Sequence, residues 1–228
     1  MAKSLLDLPR ELRDIIYEYA LTEKGGLIVQ NWPTMYLNAA GAKYGTPPNQ
    51  LKLTCRQIYA ETVGLSLRYN ELIFGGHYGI RLFDKFTRTY CTSAHFRRVK
   101  SILIFQKSDR MTLHDLEEVD AIGKAYPTLS IEVRLEWLTE YESFGTWCYD
   151  GSNIHFALRG MYPDFFVAAG LRARNWLRKD GFSLDSSNVQ VFPRGFDEAK
   201  LRVAASKSDM MYIDDCIEQF QEWFQEGF

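Results

Sequence analysis

The sequence predicts an α/β or α+β protein with a helical module at its N-terminus. Helical periodicity of the apolar residues dominates up to residue 70, and strand-like segments alternate with helical ones after it. Hydrophobic residues make up 46% of the chain and charged residues 25%, which is ordinary for a folded globular protein. We therefore expect residues 1–70 to form the helical module and residues 71–228 to form an α/β region packed on it as one compact unit.

The first predicted helix begins near Pro9. Proline suits a first helical turn because its missing N–H has no intrahelical partner there, and the carboxylate of Glu11 complements the helix dipole. The apolar residues that follow recur at the spacing of one helix face: Leu12, Ile15, Ile16, Tyr19 and Ala20. Periodicity alone leaves open whether this face packs on the rest of the chain or contacts a partner.

A second predicted helix spans Leu51–Tyr69. A long irregular loop over residues 31–50, rich in glycine and proline, separates it from the first helix, and residues 27–30 form a short candidate strand before that loop. The predicted apolar face of the second helix consists of Cys55, Ile58, Tyr59, Thr62, Leu65, Ser66 and Tyr69.

Strands and helices alternate after Asn70. The strand candidates are residues 72–74, 99–105, 131–137 and 189–192. The helix candidates are Tyr78–Thr89, a helix capped by Thr112, Pro163–Asp180 and Asp209–Glu226. Val99–Phe105 is apolar on both faces, which predicts an interior strand of a covered parallel sheet. Residues 139–162 are predicted to be irregular.

The first three of these strands start about 30 residues apart, which loosely matches a degenerate leucine-rich repeat. A plain open α/β sheet explains the same alternation. Both interpretations place the strands in one sheet, with helices on at least one of its faces.

Composition argues against several classes of partner. A net charge of −2 does not favour nucleic acid, whose binding depends on a basic surface. No apolar run approaches the roughly 20 residues that a membrane span requires. The scattered cysteines are expected to be reduced, which favours a cytoplasmic or nuclear location. They are Cys55, Cys91, Cys148 and Cys216.

The sequence spells out no catalytic site. The histidines, His77, His95, His114 and His155, lack the spacing of metal ligands, and the glycines form no phosphate-binding or dinucleotide-binding pattern. We therefore expect no metal, no cofactor and no catalytic activity.

Two sequence blocks carry a family resemblance. The first reads Leu-Pro-Arg-Glu over residues 8–11 and continues through Arg13 to an Ile-Tyr-Glu run that ends at Glu18. The second reads Thr-Cys-Arg-Gln-Ile-Tyr-Ala-Glu over residues 54–61, and an Asn-x-x-x-Phe segment follows at residues 70–74. In this order the blocks resemble the start of the F-box-like proteins that are abundant in filamentous fungi.

The resemblance implies a protein–protein interaction adaptor, namely an F-box-like substrate receptor of a ubiquitin ligase. Its helical module would dock on a Skp1-like subunit, and its α/β region would present a face to an unknown substrate. Separately, we expect the chain on its own to be a monomer, because the apolar seam of the last predicted helix is too short for a coiled coil. The residues that the resemblance places at the partner are Leu8, Pro9, Glu11, Leu12, Ile15, Ile16, Tyr19, Cys55, Arg56 and Tyr59.

Two alternatives stay open. One is a stand-alone interaction or regulatory protein without Skp1 binding, because the loop between the blocks is longer than in an ordinary F-box and Tyr59 stands where tryptophan is common. The other is an enzyme whose pocket is not visible in the spacing of the sequence.

Overall fold

The computed structural model describes residues 4–31, 35–42, 48–107, 113–136, 144–160, 183–193, 195–207 and 212–228. The protein has a mixed α/β fold, as the sequence predicts, built on a six-stranded sheet. The strands are β1 Leu27–Asn31, β2 Met35–Ala39, β3 Leu72–Phe74, β4 Ser101–Gln106, β5 Ser130–Leu135 and β6 Val189–Pro193. Their order across the sheet is β2-β1-β3-β4-β5-β6, so β4 is an interior strand.

Helices connect and flank these strands. The described helices are α1 Arg10–Leu21, α2 Arg56–Thr62, α3 Leu65–Tyr69, α4 Gly79–Lys85, α5 Ser93–Phe96, α6 Leu113–Ala125, α7 Phe144–Leu158, α8 Glu198–Ala205 and α9 Ile213–Glu226. Short 3-10 turns lie at Leu5–Asp7 and Leu51–Leu53. A wider π-type turn, Phe86–Tyr90, continues α4.

The sheet combines an antiparallel hairpin with parallel pairs. Strands β1 and β2 pair antiparallel, with Leu27 opposite Ala39. Strand β1 pairs parallel with β3, and β5 pairs parallel with β6, where Ile131 lies opposite Val189. The four strands β3 to β6 follow one another across the sheet in chain order, which matches the strand–helix alternation of the sequence.

The chain divides into two compact units. The first contains Met1–Phe74 and Lys85–Leu103, and the second contains Gly75–Asp84 and Ile104–Phe228. The sequence places a boundary at residue 70, whereas in the structure the chain leaves the first unit after Phe74 and returns to it for the segment Lys85–Leu103.

Each unit has its own buried core. In the first unit, Tyr17, Leu21 and Ile58 form a helical cluster. Partly buried side chains surround this cluster: Leu5, Leu6, Leu51, Leu65 and Tyr69. In the second unit, buried residues of α6 and of the strands include Leu116, Val119, Val133 and Val191.

The second predicted helix is broken rather than continuous. Its first part is the 3-10 turn Leu51–Leu53, and Gly64 separates α2 from α3 with a φ of 77°. That left-handed conformation favours glycine, and a Cβ at this position would also lie 2.7 Å from Nη1 of Arg98. The helical periodicity of the sequence continues through the break, which explains why one helix was predicted.

Two predicted irregular segments contain regular structure. Residues 31–50 include β2, whose pairing with β1 could not be inferred from its own short sequence. Residues 139–162 include α7, although glycines lower its helix propensity. At Gly151 a Cβ would lie 2.5 Å from the Trp223 ring, so this glycine permits close packing of α7 against α9. Tertiary packing therefore overrides local propensity here.

The remaining helices complete the comparison with the sequence. Helix α8 was not predicted; the side chain of Asp197 caps it by accepting a hydrogen bond from the backbone N–H of Lys200 at 3.1 Å. Helix α9 begins at Ile213, four residues later than predicted. The predicted helix Pro163–Asp180 and the predicted cap Thr112 lie outside the described residues.

Candidate protein-binding site

A capped turn sets the entry into α1. The backbone N–H of Ser4 donates to Oδ2 of Asp7 at 2.7 Å, and Oγ of Ser4 accepts from the backbone N–H of Leu6 at 3.1 Å. Pro9 then stands at the N-cap of α1, where its carbonyl accepts from the backbone N–H of Arg13. The Leu-Pro-Arg-Glu block thus marks a helix start, as predicted.

Three side chains of the two blocks form what we term the Glu61 clamp: Arg13, Tyr17 and Glu61. Arg13 binds the carboxylate of Glu61 with two parallel bonds, Nε to Oε2 at 3.0 Å and Nη2 to Oε1 at 2.9 Å. The hydroxyl of Tyr17 donates to Oε2 of Glu61 at 2.7 Å. Nη1 of Arg13 also donates to the carbonyl of Leu8 at 2.5 Å. The clamp therefore ties the start of α1 and its middle to the end of α2.

The clamp controls the protonation of its members. The hydrogen bonds from Arg13, and next those from Tyr17, lower the pKa of Glu61 to about 2. Burial, and next the carboxylate of Glu61, raises the pKa of Tyr17. The carboxylate of Glu61 is thus charged and fully engaged at neutral pH, so its contacts are those of a structural group rather than of a general acid or base.

A second connection joins the ends of the helices. The buried Asn70 donates through Nδ2 to the carbonyl of Leu21 at 2.6 Å and to the carbonyl of Ser66 at 2.8 Å. Its Oδ1 accepts from the backbone N–H of Glu23 at 2.6 Å. Asn70 thereby satisfies the last carbonyls of both α1 and α3, which would otherwise be unpaired in the interior.

The apolar stripe of α1 faces water. We term its four residues the α1 stripe: Leu12, Ile15, Ile16 and Tyr19 are 47%, 63%, 39% and 90% exposed. The same helix buries Tyr17 and Leu21, which are 0% and 1% exposed. At about 100° per residue, Leu12 and Tyr17 project about 140° apart around the helix axis. The helix therefore turns its larger apolar face outward and its Glu61 clamp inward.

The other residues expected at the partner lie mostly at the surface of the same unit. Pro9 and Glu11 are exposed, and Leu8 is half-buried. Arg56 is exposed on α2, and Tyr59 is 50% exposed. The predicted apolar face of the second helix is therefore only partly buried. Ile58, Thr62 and Ser66 of that face are buried, whereas Tyr59 is half exposed.

Cys55 and Leu53 change the details of this surface. Cys55 is exposed, and its sulfur caps α2 by accepting from the backbone N–H of Ile58 at 3.5 Å. Leu53 is 73% exposed, although the two sequence blocks do not single it out as a contact residue. The sequence signal that could have found it is its three-residue spacing from Arg56 and Tyr59, because such steps recur on one face of the continuous helix that the sequence predicts.

Described residues of α1 line two hollows. One, of about 480 Å³, is lined by Ile15, Glu18, Tyr19, Thr22 and Lys24. The other, of about 470 Å³, is lined by Ala20, Leu21, Glu23, Ala39, Ala42, Pro48, Gln50, Leu51 and Thr54. The first combines two residues of the α1 stripe with charges of both signs, a mixture suited to contact with a protein side chain.

Among the described side chains, no three His, Cys, Asp or Glu residues converge where they could hold a metal ion. His114 lies at the surface of α6, with Nε2 3.3 Å from Oε1 of Glu118. None of the described helices has the length and hydropathy needed to cross a membrane. Comparison with known proteins finds no matching family model, no similar curated protein and no similar solved structure.

Proposed function

We propose that this chain is a protein–protein interaction adaptor that binds its partner through the α1 stripe. The observation that carries the proposal is the outward orientation of Leu12, Ile15, Ile16 and Tyr19 on a helix whose opposite face is locked to the same unit. Their positions follow the i, i+3, i+4, i+7 spacing by which a helix anchors itself in an apolar groove.

The free energy of burying apolar surface favours coverage of this stripe by a partner. Full burial of a large apolar side chain contributes about 1.5–3 kcal/mol relative to its exposure, so a stripe of this size left in water forgoes substantial stabilisation. A partner groove that covers the stripe would recover that free energy. The Glu61 clamp supports the same role, because it holds the helix in place before the partner arrives and so lowers the entropic cost of binding.

The particular adaptor that we propose is an F-box-like substrate receptor of a ubiquitin ligase, with a Skp1-like subunit as the partner of α1. The sequence blocks that resemble the F-box-like proteins support this proposal, since they include Ile16 of the stripe and Arg56 and Tyr59 of the exposed face of α2. The unknown substrate would bind elsewhere on the chain. A cytoplasmic or nuclear location and the absence of catalysis in this chain belong to the same proposal.

The test is the affinity of the purified chain for a purified Skp1-like subunit, measured by calorimetry. Leu12→Arg and Ile16→Arg each place a charge in the stripe. Each is expected to weaken binding by at least about 30-fold, since loss of a central anchor costs about 2 kcal/mol or more. Both variants should keep their free energy of unfolding within about 0.5 kcal/mol of wild type, because the replaced side chains are exposed.

Val203→Arg is the matched control, since Val203 is 58% exposed on α8 in the other unit. It should bind as wild type does. Undiminished binding by both stripe variants would contradict the assignment of the site. A wild-type chain that does not bind the Skp1-like subunit would refute the ubiquitin-ligase form of the proposal and favour the stand-alone interaction protein.

A further inference from the structure

The two compact units of the chain carry opposite formal charges. The first unit contains 13 Lys and Arg residues and 7 Asp and Glu residues, which gives +6, and the second contains 14 and 22, which gives −8. The segment Lys85–Leu103 contributes most of the excess in the first unit, because it holds five Lys and Arg residues and no Asp or Glu. The net charge of −2 therefore conceals a basic first unit.

The segment Lys85–Leu103 is anchored by apolar side chains and turns its cations outward. Phe86, Phe96 and Val99 are 6%, 4% and 4% exposed, and the ring of Phe86 packs edge-on against that of Phe74 with their centroids 5.4 Å apart. The Lys and Arg residues of the segment are all exposed: Lys85, Arg88, Arg97, Arg98 and Lys100. The fold thus fixes the backbone of the segment and leaves its charges at the surface.

Contacts around Gly64 bring this segment to the junction of α2 and α3. Nη1 of Arg98 donates to the carbonyl of Val63 at 2.5 Å. A Cβ at Gly64 would lie 2.7 Å from that nitrogen and 3.2 Å from Cδ2 of His95. Arg68 lies four residues beyond Gly64, about one turn further along the same side of α3. Cations from two distant parts of the chain therefore share what we term the basic surface: Arg68, Arg97, Arg98 and Lys100.

The basic surface lacks the acidic neighbours that other cations of the chain have. Within the described part of the chain, none of its four side chains lies within ion-pair distance of a carboxylate. By contrast, the guanidinium of Arg13 in the same unit lies 2.9 Å from Glu61, and that of Arg202 on α8 lies 2.8 Å from Asp214. Like charges gathered without counter-charges repel one another, so an anionic partner would be favoured at this surface.

The side chains around the basic surface favour an acidic polypeptide over nucleic acid. Proteins that hold single-stranded nucleic acid without sequence preference combine a basic groove with several aromatic side chains on which bases stack. In the segment Lys85–Leu103, Phe86 and Phe96 are buried and only Tyr90, at 47%, is an exposed aromatic side chain. Three guanidinium groups and one ammonium group suit the carboxylates of a short acidic segment, which guanidinium groups bind through paired hydrogen bonds.

We propose that the basic surface is a docking site for an acidic segment, rich in aspartate and glutamate, of a partner protein. In the adaptor function this partner is the substrate, so as a statement about the substrate the inference rests on the proposed function. The binding reaction itself uses no residue of the α1 stripe and requires no Skp1-like subunit. It can therefore be tested on the purified chain alone.

The test measures the affinity of the full chain for a fluorescein-labelled peptide of alternating glutamate and serine, by fluorescence anisotropy. A peptide with glutamine in place of glutamate should bind at least about tenfold more weakly. The affinity for the acidic peptide should fall as the ionic strength rises from about 0.01 M to about 0.15 M, because the Debye length shrinks from roughly 30 Å to about 8 Å. Equal affinity for the two peptides would overturn the proposal.

Variants that each remove two positive charges locate the site. Arg97→Gln with Lys100→Gln should weaken binding of the acidic peptide by at least about tenfold. The matched control, Lys200→Gln with Lys207→Gln in the second unit, should change it by less than about twofold. All four side chains are exposed, so both variants should melt as the wild-type chain does. Equal weakening in the two variants would overturn the proposal, because the attraction would then follow the net charge of the chain.

Two further outcomes separate this inference from its alternatives. A wild-type chain that binds a Skp1-like subunit but not the acidic peptide would overturn the inference and leave the proposed adaptor function standing. A single-stranded RNA of mixed sequence that binds more tightly than the peptide, and that loses its affinity in the Arg97→Gln, Lys100→Gln variant, would overturn it in favour of nucleic acid.

Discussion

At the scale of single residues, Glu61 holds the first unit together through the number of donors that converge on it. Besides Arg13 and Tyr17, Nε2 of Gln57 donates to Oε1 at 3.1 Å, and Nη1 of Arg10 lies 3.3 Å from Oε2. A carboxylate that accepts several charge-assisted bonds is costly to leave unpaired, so each donor can be tested by its removal.

Removal of the Tyr17 hydroxyl tests the clamp with the smallest change. Tyr17→Phe keeps the buried ring and deletes the bond to Glu61, so we expect a loss of about 1–2 kcal/mol in the free energy of unfolding, measured by urea titration. Tyr59→Phe is the matched control and should change this free energy by less than about 0.5 kcal/mol, because Tyr59 is half exposed. Equal effects of the two substitutions would argue against the clamp.

The low pKa of Glu61 predicts a defined dependence of stability on pH. The pKa of this carboxyl is about 2 in the folded chain and 4.5 as its ordinary value, so the stabilisation is complete above about pH 4.5 and is lost as the pH falls towards 2. The difference in unfolding free energy between wild type and Glu61→Gln should therefore be constant near neutral pH and narrow in acid. A difference that is the same at both ends of this window would exclude the ionised clamp as its cause.

At the scale of elements, β4 shows how burial is divided between the faces of a strand. Ile102 and Ile104 are both 0% exposed, whereas Leu103 and Phe105 are only partly buried. The sequence is apolar on both faces and so suggests equal burial, but the structure covers one face more fully than the other.

This division predicts unequal effects of two neighbouring substitutions in β4. Ile102→Asp should unfold the protein at 25 °C, since an unpaired buried charge costs several kcal/mol. Leu103→Asp, which a strand buried on both faces would not tolerate, should stay folded with a lowered melting temperature, because its carboxylate keeps contact with water. Circular dichroism during heating distinguishes the two. A lower melting temperature for Leu103→Asp than for Ile102→Asp would contradict this prediction.

The sequence was sufficient for most strands and for the start of α1, because these elements follow from local periodicity and capping. It was insufficient for β2 and α7, whose stability comes from pairing with β1 and packing with α9. For the candidate site, periodicity found the α1 stripe but not its direction. That direction is set by Glu61, which lies 48 positions beyond Arg13 in the chain and is thus invisible to a local pattern.

At the scale of the whole molecule, the two compact units are not divided at a single point of the sequence, because the chain passes between them more than once. The segment Gly75–Asp84 belongs to the second unit although it lies between two segments of the first. Its contacts within that unit include a hydrogen bond from the backbone N–H of Ile80 to Oε1 of Gln106 at 3.4 Å. A Cβ at Gly79 would lie 2.2 Å from the carbonyl oxygen of Phe105. Helix α4 therefore depends on residues that follow Leu103.

This path predicts the behaviour of a fragment of residues 1–103. The fragment contains the whole first unit but leaves α4 without Phe105 and Gln106, so we expect Ile80 and Phe83, which are buried in the full chain, to become exposed. It should self-associate in size-exclusion chromatography and bind a hydrophobic dye. The same fragment with Ile80→Glu and Phe83→Glu should do so markedly less. Equal association of the two fragments would place the exposed surface elsewhere.

The side chains of the helical module that make contacts inside the unit and those that face water are expected to evolve differently. Arg13, Tyr17 and Glu61 belong to the two blocks and Asn70 to the segment that follows them, and all four make contacts inside the unit. On the proposed function, selection for folding alone would preserve these residues in a related chain that does not bind a partner, whereas Leu12, Ile15 and Tyr19 would then drift towards polar residues. Among related sequences, apolar residues at the positions of the α1 stripe would therefore indicate that partner binding is retained. The presence of the two sequence blocks alone would indicate only that the fold is retained.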